Sequence, residues 1–384
     1  MKASRPGEVL VIGAGPSGAT IARVLAEKGY PVSVIEKSAE PGGLCHTHRD
    51  PRTGVMVHTH GPHIFHSDDA EVWSFVERFA AFHPYRHEVI AVTGGKSYSL
   101  PITLHTMRAF FGRDLDENSA RQLILGLSRH YDHAPRNFEE QGRHMLGDAL
   151  YEAFFESYTR KQWGVEPSAL PASILKRIPL RFNEDRNYFH HSRVGIPTVG
   201  YTAMMAEMLN HPLIVAHYGV DVTQPVLHGY LHVVYTGPLD QWFGHRFGRL
   251  PYRSLSFEKV YCSGTFQQAA QVNYCDMTVP WTRITEHRHF APHEEHDETT
   301  CLVETSHDCG PADTPHYPVR LAGDQATLQQ YIEAARQVSG VSFVGRLATY
   351  RYIDMDAAIR EALDAGRELA ESLSQGKCPP VFFY

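Results

Sequence analysis

The hydrophobic positions near the amino terminus follow a strand–helix–strand order. A short apolar run, Val9–Ile12, predicts a strand. After a glycine-rich turn, apolar residues recur at helical spacing as far as Leu25, and Gly29-Tyr30-Pro31 ends that helix. A second apolar run, Val32–Ile35, predicts the next strand, and Glu36 follows it. This order predicts a βαβ unit with parallel strands.

The pattern then changes twice along the chain. Helical periodicity dominates residues 104–176, which predicts an inserted helical domain. Short alternating runs at residues 88–92 and 272–274 favour an antiparallel sheet. A strand at residues 341–344 and a helix at residues 354–374 return to the first pattern. We therefore predict an α/β fold in which a discontinuous Rossmann-like domain carries a helical insertion and an antiparallel sheet of the six-stranded type.

These changes of pattern predict three domains. The nucleotide-binding domain comprises residues 1–80, 196–248 and 325–384, the helical domain residues 103–177, and the sheet domain residues 81–102, 178–195 and 249–324.

Composition limits the class of protein. The 384 residues are 42% hydrophobic and 21% charged, which is ordinary for a folded globular protein. A net charge of −7, without a Lys/Arg run, argues against a nucleic-acid or anionic-membrane partner. No apolar stretch approaches the ~20 residues of a membrane span. The short polar amino terminus shows no signal peptide. A cytoplasmic location without membrane insertion is the expectation.

Cysteine and histidine usage predicts no metal site. The six cysteines are scattered without a Cys-x-x-Cys pair, which favours reduced thiols. The densest group among the 25 histidines is His287, His289, His293 and His296. Its spacing fits no familiar zinc pattern, so we predict a solvated polar segment there.

The first glycine turn has the spacing of a dinucleotide fingerprint. Gly13 permits the tight turn, Gly15 lets the backbone approach a pyrophosphate, and Gly18 lets helix and strand pack closely. The helix amino terminus favours phosphate groups. Glu36 can accept hydrogen bonds from ribose hydroxyls. The predicted dinucleotide contacts here are Gly13, Gly15, Pro16, Ser17, Gly18 and Glu36.

A second glycine turn favours FAD over NAD. Lys37 and then Pro41-Gly42-Gly43 follow Glu36, and such a turn lets another loop reach the pyrophosphate. Gly345-Arg346, after the last strand, predicts a further pyrophosphate contact. A helix that begins near Asp354 would direct its positive end at the flavin and favour a reduced, anionic ring. FAD is therefore the predicted cofactor.

Further blocks of unusual residues occur in a fixed order at 61–66, 98–101, 158–164, 176–179, 187–189, 252–255 and 351–355. They include Gly-Pro-His-Ile-Phe-His at 61–66 and Arg-Lys-Gln-Trp-Gly at 160–164. In this order the blocks closely resemble UDP-galactopyranose mutases of the bacterial type, from residue 9 to about residue 373. The fold of that family, a discontinuous FAD domain with a helical domain and an antiparallel sheet, agrees with the hydrophobic pattern.

The resemblance implies a reversible, FAD-dependent isomerisation of UDP-galactopyranose to UDP-galactofuranose. The implied nucleophile at the anomeric carbon is N5 of the reduced flavin, with no net oxidation of the sugar. The resemblance also implies a reductant, NAD(P)H or a reductase, that primes the flavin. Family members are often homodimers, so a homodimer is expected.

The same resemblance assigns roles to individual residues. It places Arg177 and Arg283 at the diphosphate, where guanidinium groups bind phosphate oxygens in pairs. Tyr188, Tyr317 and Tyr352 are the implied hydroxyl donors. The stretch that follows Arg177 and ends at Gly195-Ile196-Pro197 corresponds to a mobile lid. The implied catalytic set is Arg177, Arg283, His63, Tyr317, Tyr352 and Asp354.

The resemblance places the uridine site in the helical domain. It also implies a full set of substrate-binding residues and a set of cofactor-binding residues. Phe155, Tyr158, Thr159 and Gln162 are assigned to the uridine, and Trp163 to the sugar side. The full substrate-binding set is Phe154, Phe155, Tyr158, Thr159, Gln162, Trp163, Tyr188, Asn273, Arg253 and His87. Beyond the first glycine turn, the cofactor-binding set adds Lys37, Gly43, Leu44, Pro62, His63, Ile64, Arg346, Tyr352, Asp354 and Met355.

Four positions depart from the family pattern. Leu44 and His87 stand where the family often has Asn, and Ile353 and Trp281 where it often has Tyr. Because the uridine and diphosphate positions match, we hypothesise intact nucleotide recognition in a paralogue with altered sugar specificity. A flavin oxidase and a non-catalytic nucleotide-sugar sensor are the alternatives from other functional classes.

Overall fold

The predicted α/β fold is confirmed by a computed structural model of the chain. The model describes residues 7–177, 180–222, 229–319 and 325–384, without the side chains of Lys176 and Arg177. Its described residues form a parallel sheet, a larger mixed sheet, two small sheets and a group of helices.

Parallel strands form the centre of the nucleotide-binding part. Within the described residues the strand order is β10 (Ile214–His217), β2 (Val32–Ile35), β1 (Val9–Ile12), β11 (His232–Tyr235) and β17 (Val341–Phe343). β1 pairs in parallel with β2 on one side and β11 on the other. All residues of these three strands are buried, because helices cover both faces of the sheet. The predicted βαβ unit is thus confirmed.

Helices pack on this sheet from both sides. They are α1 (Pro16–Glu27), α2 (Ala70–Val76), α7 (Gly200–Leu209), α8 (Leu239–Trp242), α9 (Gln325–Arg336) and α10 (Met355–Ser374). α1 and α10 lie close together because Gly366 has no side chain: a Cβ there would stand 2.9 Å from a methyl of Val24. The last helix of the chain, α10, therefore packs against its first helix, α1.

The predicted helical character of residues 104–176 is confirmed, in several short pieces. The pieces are α3 (Leu104–Phe111), α4 (Glu117–Leu127), α5 (Phe138–Tyr151), a π-helical turn (Glu152–Glu156), α6 (Ser157–Trp163) and the 3-10 turns Pro167–Ala169 and Ala172–Arg177. Thr103, Asp116 and Asn137 cap α3, α4 and α5 by accepting from backbone N–H groups three residues later. These elements share one hydrophobic core.

The larger sheet has seven strands in the described residues, where a sheet of the six-stranded type was expected. Its order is β16 (Tyr317–Pro318), β12 (Tyr252–Ser263), β15 (Glu298–Asp308), β14 (Arg283–Glu286), β13 (Gln271–Tyr274), β7 (Val89–Thr93) and β8 (Lys96–Leu100). Neighbouring strands are antiparallel except β7 and β13, which are parallel. The two-residue β16 extends one edge because Tyr317 pairs with Arg253.

Two small sheets complete the strands. β5 (Phe65–Ser67), β9 (Arg193–Pro197) and β6 (Phe82–Pro84) form one, and β3 (Thr47–Arg49) and β4 (Met56–His58) form the other. Residues 195–197, predicted as the end of a lid, are buried in β9. β6 and β9 thus lie outside the seven-stranded sheet, although β6 and residues 193–195 of β9 fall in segments assigned to the sheet domain. The three-domain boundaries stay predictions.

The histidine-rich segment after β14 is solvated only in part, since His293 and Glu295 are exposed but the start of the segment is not. His287 is buried, and its ring lies against His58 and Phe290. Glu286 is also buried and accepts from the backbone N–H groups of Phe266 and Gln267. A 3-10 turn at His287–Phe290 folds these side chains back into the protein. The described part of the chain contains no group of three or more His, Cys, Asp or Glu side chains arranged for a metal ion.

None of the described helices is both long enough and apolar enough to cross a membrane.

Candidate active site

A cavity of about 530 Å³ is lined by residues of both large sheets. Ile12, Ile35 and Tyr235 contribute the carboxyl ends of β1, β2 and β11. Gln271 and Arg283 contribute β13 and β14 of the seven-stranded sheet. Open parallel sheets bind ligands outside the carboxyl ends of their strands. The cavity therefore lies where the fingerprint predicts a ligand.

Two glycine turns meet at one end of the cavity. Gly13 has φ +105°, and a Cβ there would lie 2.1 Å from Oγ1 of Thr236. A Cβ on Gly18 would lie 1.9 Å from the Gly13 carbonyl oxygen, so helix and turn could not pack as they do. A Cβ on Gly43 would lie 3.1 Å from the Gly15 Cα, which shows how closely the second turn approaches the first. Glycine is therefore required at these positions, because a side chain would collide with the neighbouring turn or strand end.

The acidic residue after β2 is held in place by the same turn. Glu36 is buried, and its carboxylate accepts from the N–H groups of Ala14 (2.7 Å) and Ser38 (2.9 Å). A carboxylate has about four acceptor positions, so capacity remains for a hydroxyl. Gly345, φ +90°, lies beside the fingerprint helix, since a Cβ there would stand 2.8 Å from Oγ of Ser17. The loops that follow β1, β2, β11 and β17 thus converge on one end of the cavity.

Arg346 and two tyrosines form another part of the wall. The Arg346 guanidinium donates to the Ile353 carbonyl oxygen at 2.7 and 3.1 Å. Its central carbon lies 5.2 Å from the Tyr352 ring centroid and 5.8 Å from that of Tyr317. The two tyrosine rings are 5.8 Å apart and nearly parallel, at 28°. Trp163 lies 6.4 Å from each of them.

The last helix begins at the cavity, as predicted. Asp354 is the N-cap residue of α10, and Asp354 and Met355 both line the cavity. The amino terminus of a helix carries partial positive charge, so this end of α10 favours negative charge in the cavity.

Arg283 is positioned by the register of three strands. It pairs directly with Asn273 on β13 and with Glu304 on β15. Its Nε donates to Oε2 of Glu304 at 2.8 Å, and Glu304 is 1% exposed. Burial alone would lower the pKa of Arg283, but the Glu304 charge outweighs it and raises that pKa. Burial raises the pKa of Glu304, while Arg283 opposes the shift. The site thus contains a permanently charged guanidinium.

The loop before β5 lies on this ion pair. A Cβ on Gly61 would lie 3.1 Å from Oε2 of Glu304 and 3.2 Å from Nη2 of Arg283. Two residues later, Nδ1 of His63 donates to the Gly61 carbonyl oxygen at 2.8 Å, and the His63 backbone N–H donates to Nδ1 of His58 at 2.9 Å. Burial, with the Arg346 charge, lowers the pKa of His63 to about 3. A neutral His63 therefore lines the cavity with Pro62 and Ile64.

His87 lines the cavity beside Arg283. Its ring is 2% exposed and stacks on Phe189 at 5.5 Å. Burial and then the Arg283 charge lower the pKa of His87 to about 3, while a hydrogen bond with Gln271 opposes this. Nδ1 of the buried ring has no hydrogen-bond partner among the described residues. A neutral ring with a free nitrogen can bind a polar group of a ligand.

The predicted uridine residues lie on α6 and the preceding π-helical turn. Phe154 is 2% exposed and packs on the rings of Tyr98 and Phe110, so its side chain belongs to the helical core. Phe155 and Thr159 are also buried. Burial raises the pKa of Tyr158, and the charge of Arg283 opposes this shift.

Two cationic side chains fasten α6 to the seven-stranded sheet. Nζ of Lys161 donates to the carbonyl oxygens of Tyr274 (2.7 Å) and Trp281 (2.9 Å). Arg253, predicted to bind substrate, is 4% exposed, and its Nε donates to the Gln162 carbonyl oxygen at 3.1 Å. Its guanidinium also pairs with Asp308. These contacts hold Arg253 within the protein, where it positions α6.

The cavity brings together many of the predicted site residues. Those that line it are Gly13, Gly15, Pro16, Ser17, Gly18, Glu36, Lys37, Gly43, Leu44, Pro62, His63, Ile64, His87, Tyr188, Arg283, Tyr317, Arg346, Tyr352, Asp354 and Met355. The uridine block at 154–163, Arg253 and Asn273 are not part of this lining in the described structure. The Asn273 amide oxygen instead accepts from Nε2 of Gln271 at 2.9 Å. The side chain of Arg177 lies outside the described residues.

Sequence reasoning missed several residues of the site. Gln271 could have been found from Asn273, because residues two apart on a strand share a face. Thr236 follows β11 at the carboxyl edge, where the fold rule places ligands. Glu304 had no comparable signal, since nothing near it in the chain marks it as the partner of Arg283.

Comparison with known proteins identifies the family of the chain. A family model described as UDP-galactopyranose mutase matches residues 153–352, more than half of the chain. The chain belongs to the UDP-galactopyranose mutase family. A second model, described as an NAD(P)-binding Rossmann-like domain, matches residues 11–79, which include both glycine turns.

Individual relatives extend the likeness over the chain. It is 46% identical over 374 residues to a probable UDP-galactopyranose mutase of Klebsiella pneumoniae, covering 97% of each protein. It is 43% identical over 367 residues to the dTDP-fucopyranose mutase of Escherichia coli, covering 94% of this chain and 97% of that one. A crystal structure of reduced UDP-galactopyranose mutase has the same fold, with a TM-score of 0.73 over 95% of this chain and 96% of that one, at 17% identity.

Proposed function

We propose that the protein interconverts the pyranose and furanose forms of UDP-galactose with reduced FAD as its cofactor. The observation that carries the proposal is that one cavity combines a dinucleotide fingerprint with a charged arginine and three tyrosine hydroxyls. A dinucleotide fingerprint lies at one end, and Arg283, paired with buried Glu304, lies on the wall with Tyr188, Tyr317 and Tyr352. A permanently charged guanidinium beside such hydroxyls suits the diphosphate of a nucleotide sugar.

The residues present fit FAD. Gly13, Gly15 and Gly43 allow two backbone turns to approach a pyrophosphate, and Glu36 would hold the ribose. The amino termini of α1 and α10 favour negative charge from two directions. When bound and reduced, the flavin supplies a nucleophilic nitrogen for the anomeric carbon.

The protein's own groups would hold the departing nucleotide. Arg283 keeps its charge at any working pH and can bind two phosphate oxygens. Burial raises the pKa of Tyr317 to about 12, so its hydroxyl stays protonated and can donate. A diphosphate held in this way remains available to re-form the glycosidic bond. Arg177 is part of the proposal as the second guanidinium.

Further parts of the proposal concern the nucleobase and the cellular setting. Phe155, Tyr158, Thr159 and Gln162 would bind the uridine, and Trp163, beside the tyrosine pair, would face the sugar. A homodimer in the cytoplasm, primed by NAD(P)H or a reductase, is the form that we propose.

A second hexose is favoured by a specific observation. The dTDP-fucopyranose mutase relative is nearly as similar as the UDP-galactopyranose mutase relative, at 43% against 46% identity. Leu44, His87 and Ile353, which depart from the family pattern, all line the cavity. The same reaction on dTDP-fucopyranose is therefore the alternative function.

One experiment separates the two sugars and the two nucleotides. Dithionite-reduced protein is incubated with UDP-galactose, dTDP-fucose, UDP-fucose and dTDP-galactose, each as the pyranose, and furanose products are resolved by chromatography. The proposal expects the highest kcat/KM for UDP-galactopyranose and no conversion by oxidised protein. A higher kcat/KM for dTDP-fucopyranose would transfer the assignment to that sugar. Reduction of the oxidised flavin by the sugar nucleotide with formation of hydrogen peroxide, or UDP binding without turnover of any sugar, would refute a mutase.

A further inference from the structure

The loop between β17 and α10 contains an unusual backbone conformation. Tyr350 has φ +48°, in the left-handed region that non-glycine residues occupy at a cost in energy. The residue is fully buried. The loop is closed on itself on both sides of Tyr350: Thr349 N–H donates to the Gly345 carbonyl oxygen and Arg351 N–H to that of Arg346. Strain of this kind persists only where surrounding contacts hold it, and it is common at functional sites.

The Tyr350 hydroxyl reaches into the other large sheet. It lies 2.5 Å from the Pro251 carbonyl oxygen and 2.8 Å from that of Val319. Pro251 immediately precedes β12, and Val319 immediately follows β16. The Val319 N–H itself donates to the Pro251 carbonyl oxygen at 3.0 Å. The hydroxyl thus lies at the end of the β12–β16 ladder, 99 residues from one acceptor and 31 from the other.

Tyr350 therefore joins the two segments that carry the tyrosine pair. Tyr317 lies on β16, two residues before Val319, and Tyr352 lies two residues after Tyr350. Their rings are 5.8 Å apart at 28°, with the Arg346 guanidinium over both. A shift of either segment would move one ring relative to the other.

We propose that Tyr350 is a positioning residue that sets the Tyr317–Tyr352 pair in the cavity, through its left-handed backbone and its hydroxyl bridge. The inference rests on the proposed function, because that function gives the tyrosine pair its role. Tyr350 acts through Tyr317 and Tyr352, which line the cavity, whereas Tyr350 is absent from the lining of the described residues.

Simple core packing does not account for these features. Packing would be satisfied by a phenylalanine ring in an unstrained conformation, since the ring only needs apolar neighbours. Tyr252 offers the contrast. Its ring meets Tyr350 edge-on at 5.2 Å and 87°, and its own buried hydroxyl has no hydrogen-bond partner among the described residues. The hydroxyl of Tyr350 therefore bonds to other segments of the chain, whereas that of the adjoining Tyr252 bonds to none of the described residues.

The test compares Tyr350→Phe with Tyr252→Phe, each of which removes one buried hydroxyl oxygen. Tyr350→Phe is expected to lower kcat about ten-fold, the scale of one lost hydrogen bond, while KM, FAD affinity and the Kd for UDP stay within about two-fold. Tyr252→Phe should leave all four unchanged. The second readout is the visible difference spectrum that UDP induces in bound FAD, which should change in Tyr350→Phe and match wild type in Tyr252→Phe.

Two results would overturn the inference. One is an unchanged kcat and an unchanged difference spectrum in Tyr350→Phe. The other is a fall of kcat in that variant that is accompanied by an equal fold-change in FAD affinity, which would make the residue merely structural. If wild-type protein converts no sugar nucleotide, the proposed function fails by itself, and the difference spectra still decide the role of Tyr350.

Discussion

At the scale of single residues, Arg283 depends on a carboxylate that is distant in the chain. Glu304 is 21 residues away but lies directly opposite it on the next strand, and it is almost fully buried. Removing one partner of a buried ion pair strongly destabilises the folded protein. The proposed diphosphate-binding group and the stability of the sheet therefore share one interaction.

Replacing Glu304 with Gln should lower both stability and activity. We expect a loss of about 3 kcal/mol in the free energy of unfolding, because the buried guanidinium keeps its charge without a counter-charge. Urea unfolding measures the first effect and kcat/KM the second. The matched control is Glu298→Gln on the same strand, since Glu298 pairs with Arg52 in a more exposed position. A Glu304 variant as stable as the Glu298 variant would contradict the argument.

His87 should affect the sugar and not the nucleotide. His87→Phe keeps a ring that can stack on Phe189 and removes both ring nitrogens, the unpartnered Nδ1 and the one that bonds to Gln271. We expect kcat/KM for the sugar nucleotide to fall about ten-fold, the scale of one hydrogen bond, while the Kd for UDP stays the same. Calorimetric titration with UDP and initial-rate kinetics measure the two quantities. An equal loss in UDP affinity would place His87 at the nucleotide.

At the scale of secondary structure, the carboxyl end of α6 is fixed to the large sheet by Arg253. Gly164 caps this helix with φ +68°, and a Cβ there would lie 2.3 Å from Nη1 of Arg253. The guanidinium cannot move freely, because it already bonds to the Gln162 carbonyl oxygen and to Ser306. The position of the proposed uridine residues thus depends on one glycine.

Two helix-capping glycines make a matched pair for testing this. Gly112 caps α3 with φ +63° and has open space around it. Gly112→Ala should cost about 1 kcal/mol of stability, the penalty of the left-handed conformation alone. Gly164→Ala should cost at least about 1 kcal/mol more, through the displaced hydrogen bonds of Arg253, and should weaken UDP binding. Thermal unfolding and UDP titration of both variants provide the comparison. Equal losses of stability and of UDP affinity in the two variants would show that Arg253 can move aside without losing its hydrogen bonds.

At the scale of the whole molecule, buried histidines link stability to pH. Burial lowers the pKa of His87 and His316 to about 3 and of His232 and His287 to about 4. An unfolded chain protonates these side chains around pH 6.5. Between about pH 4 and 6.5 the unfolded state therefore binds more protons, so stability rises with pH. The stabilisation is complete above pH 6.5 and is lost as the pH falls.

The free energy of unfolding should therefore decrease from pH 7.5 to pH 5. Each histidine contributes about 1.4 kcal/mol per pH unit once the pH is below its unfolded pKa. Urea unfolding at four pH values measures the slope. His232→Asn, which changes a side chain outside the cavity lining, should reduce the slope by about one proton. Constant or increasing stability toward pH 5 would be the opposite of this expectation.

Much of the fold and of the cofactor site could be predicted from local pattern. The glycine spacing identified the first turn, and the structure places Gly13, Gly18 and Gly43 where a side chain would collide or be strained. The helical insertion was visible because periodicity persists over many residues. The sheet was predicted less completely: its seventh strand, β16, has two residues, too few for an alternating pattern.

The outcome was different for residues whose role depends on contacts across the fold. Arg253 is buried and holds the Gln162 carbonyl oxygen, a contact that the sequence did not reveal, and its substrate-binding role stays a prediction. The π-helical turn directs Phe154 into the helical core, which helical spacing alone did not reveal. His287 was predicted in a solvated segment and is buried. A hydrophobic pattern reports periodicity, but it does not report which neighbour a polar side chain meets.

The sequence by itself determined the dinucleotide turn, the second glycine turn and the order of strands and helices. These depend on residues close together in the chain, where glycine, capping residues and apolar spacing act directly on the backbone. Only the tertiary structure decided the pairing of Arg283 with Glu304, the fastening of α6 by Arg253 and the bridge from Tyr350 to Pro251 and Val319. Strand register and loop packing bring these groups together across 21 to 99 residues, and no local pattern encodes such a distance.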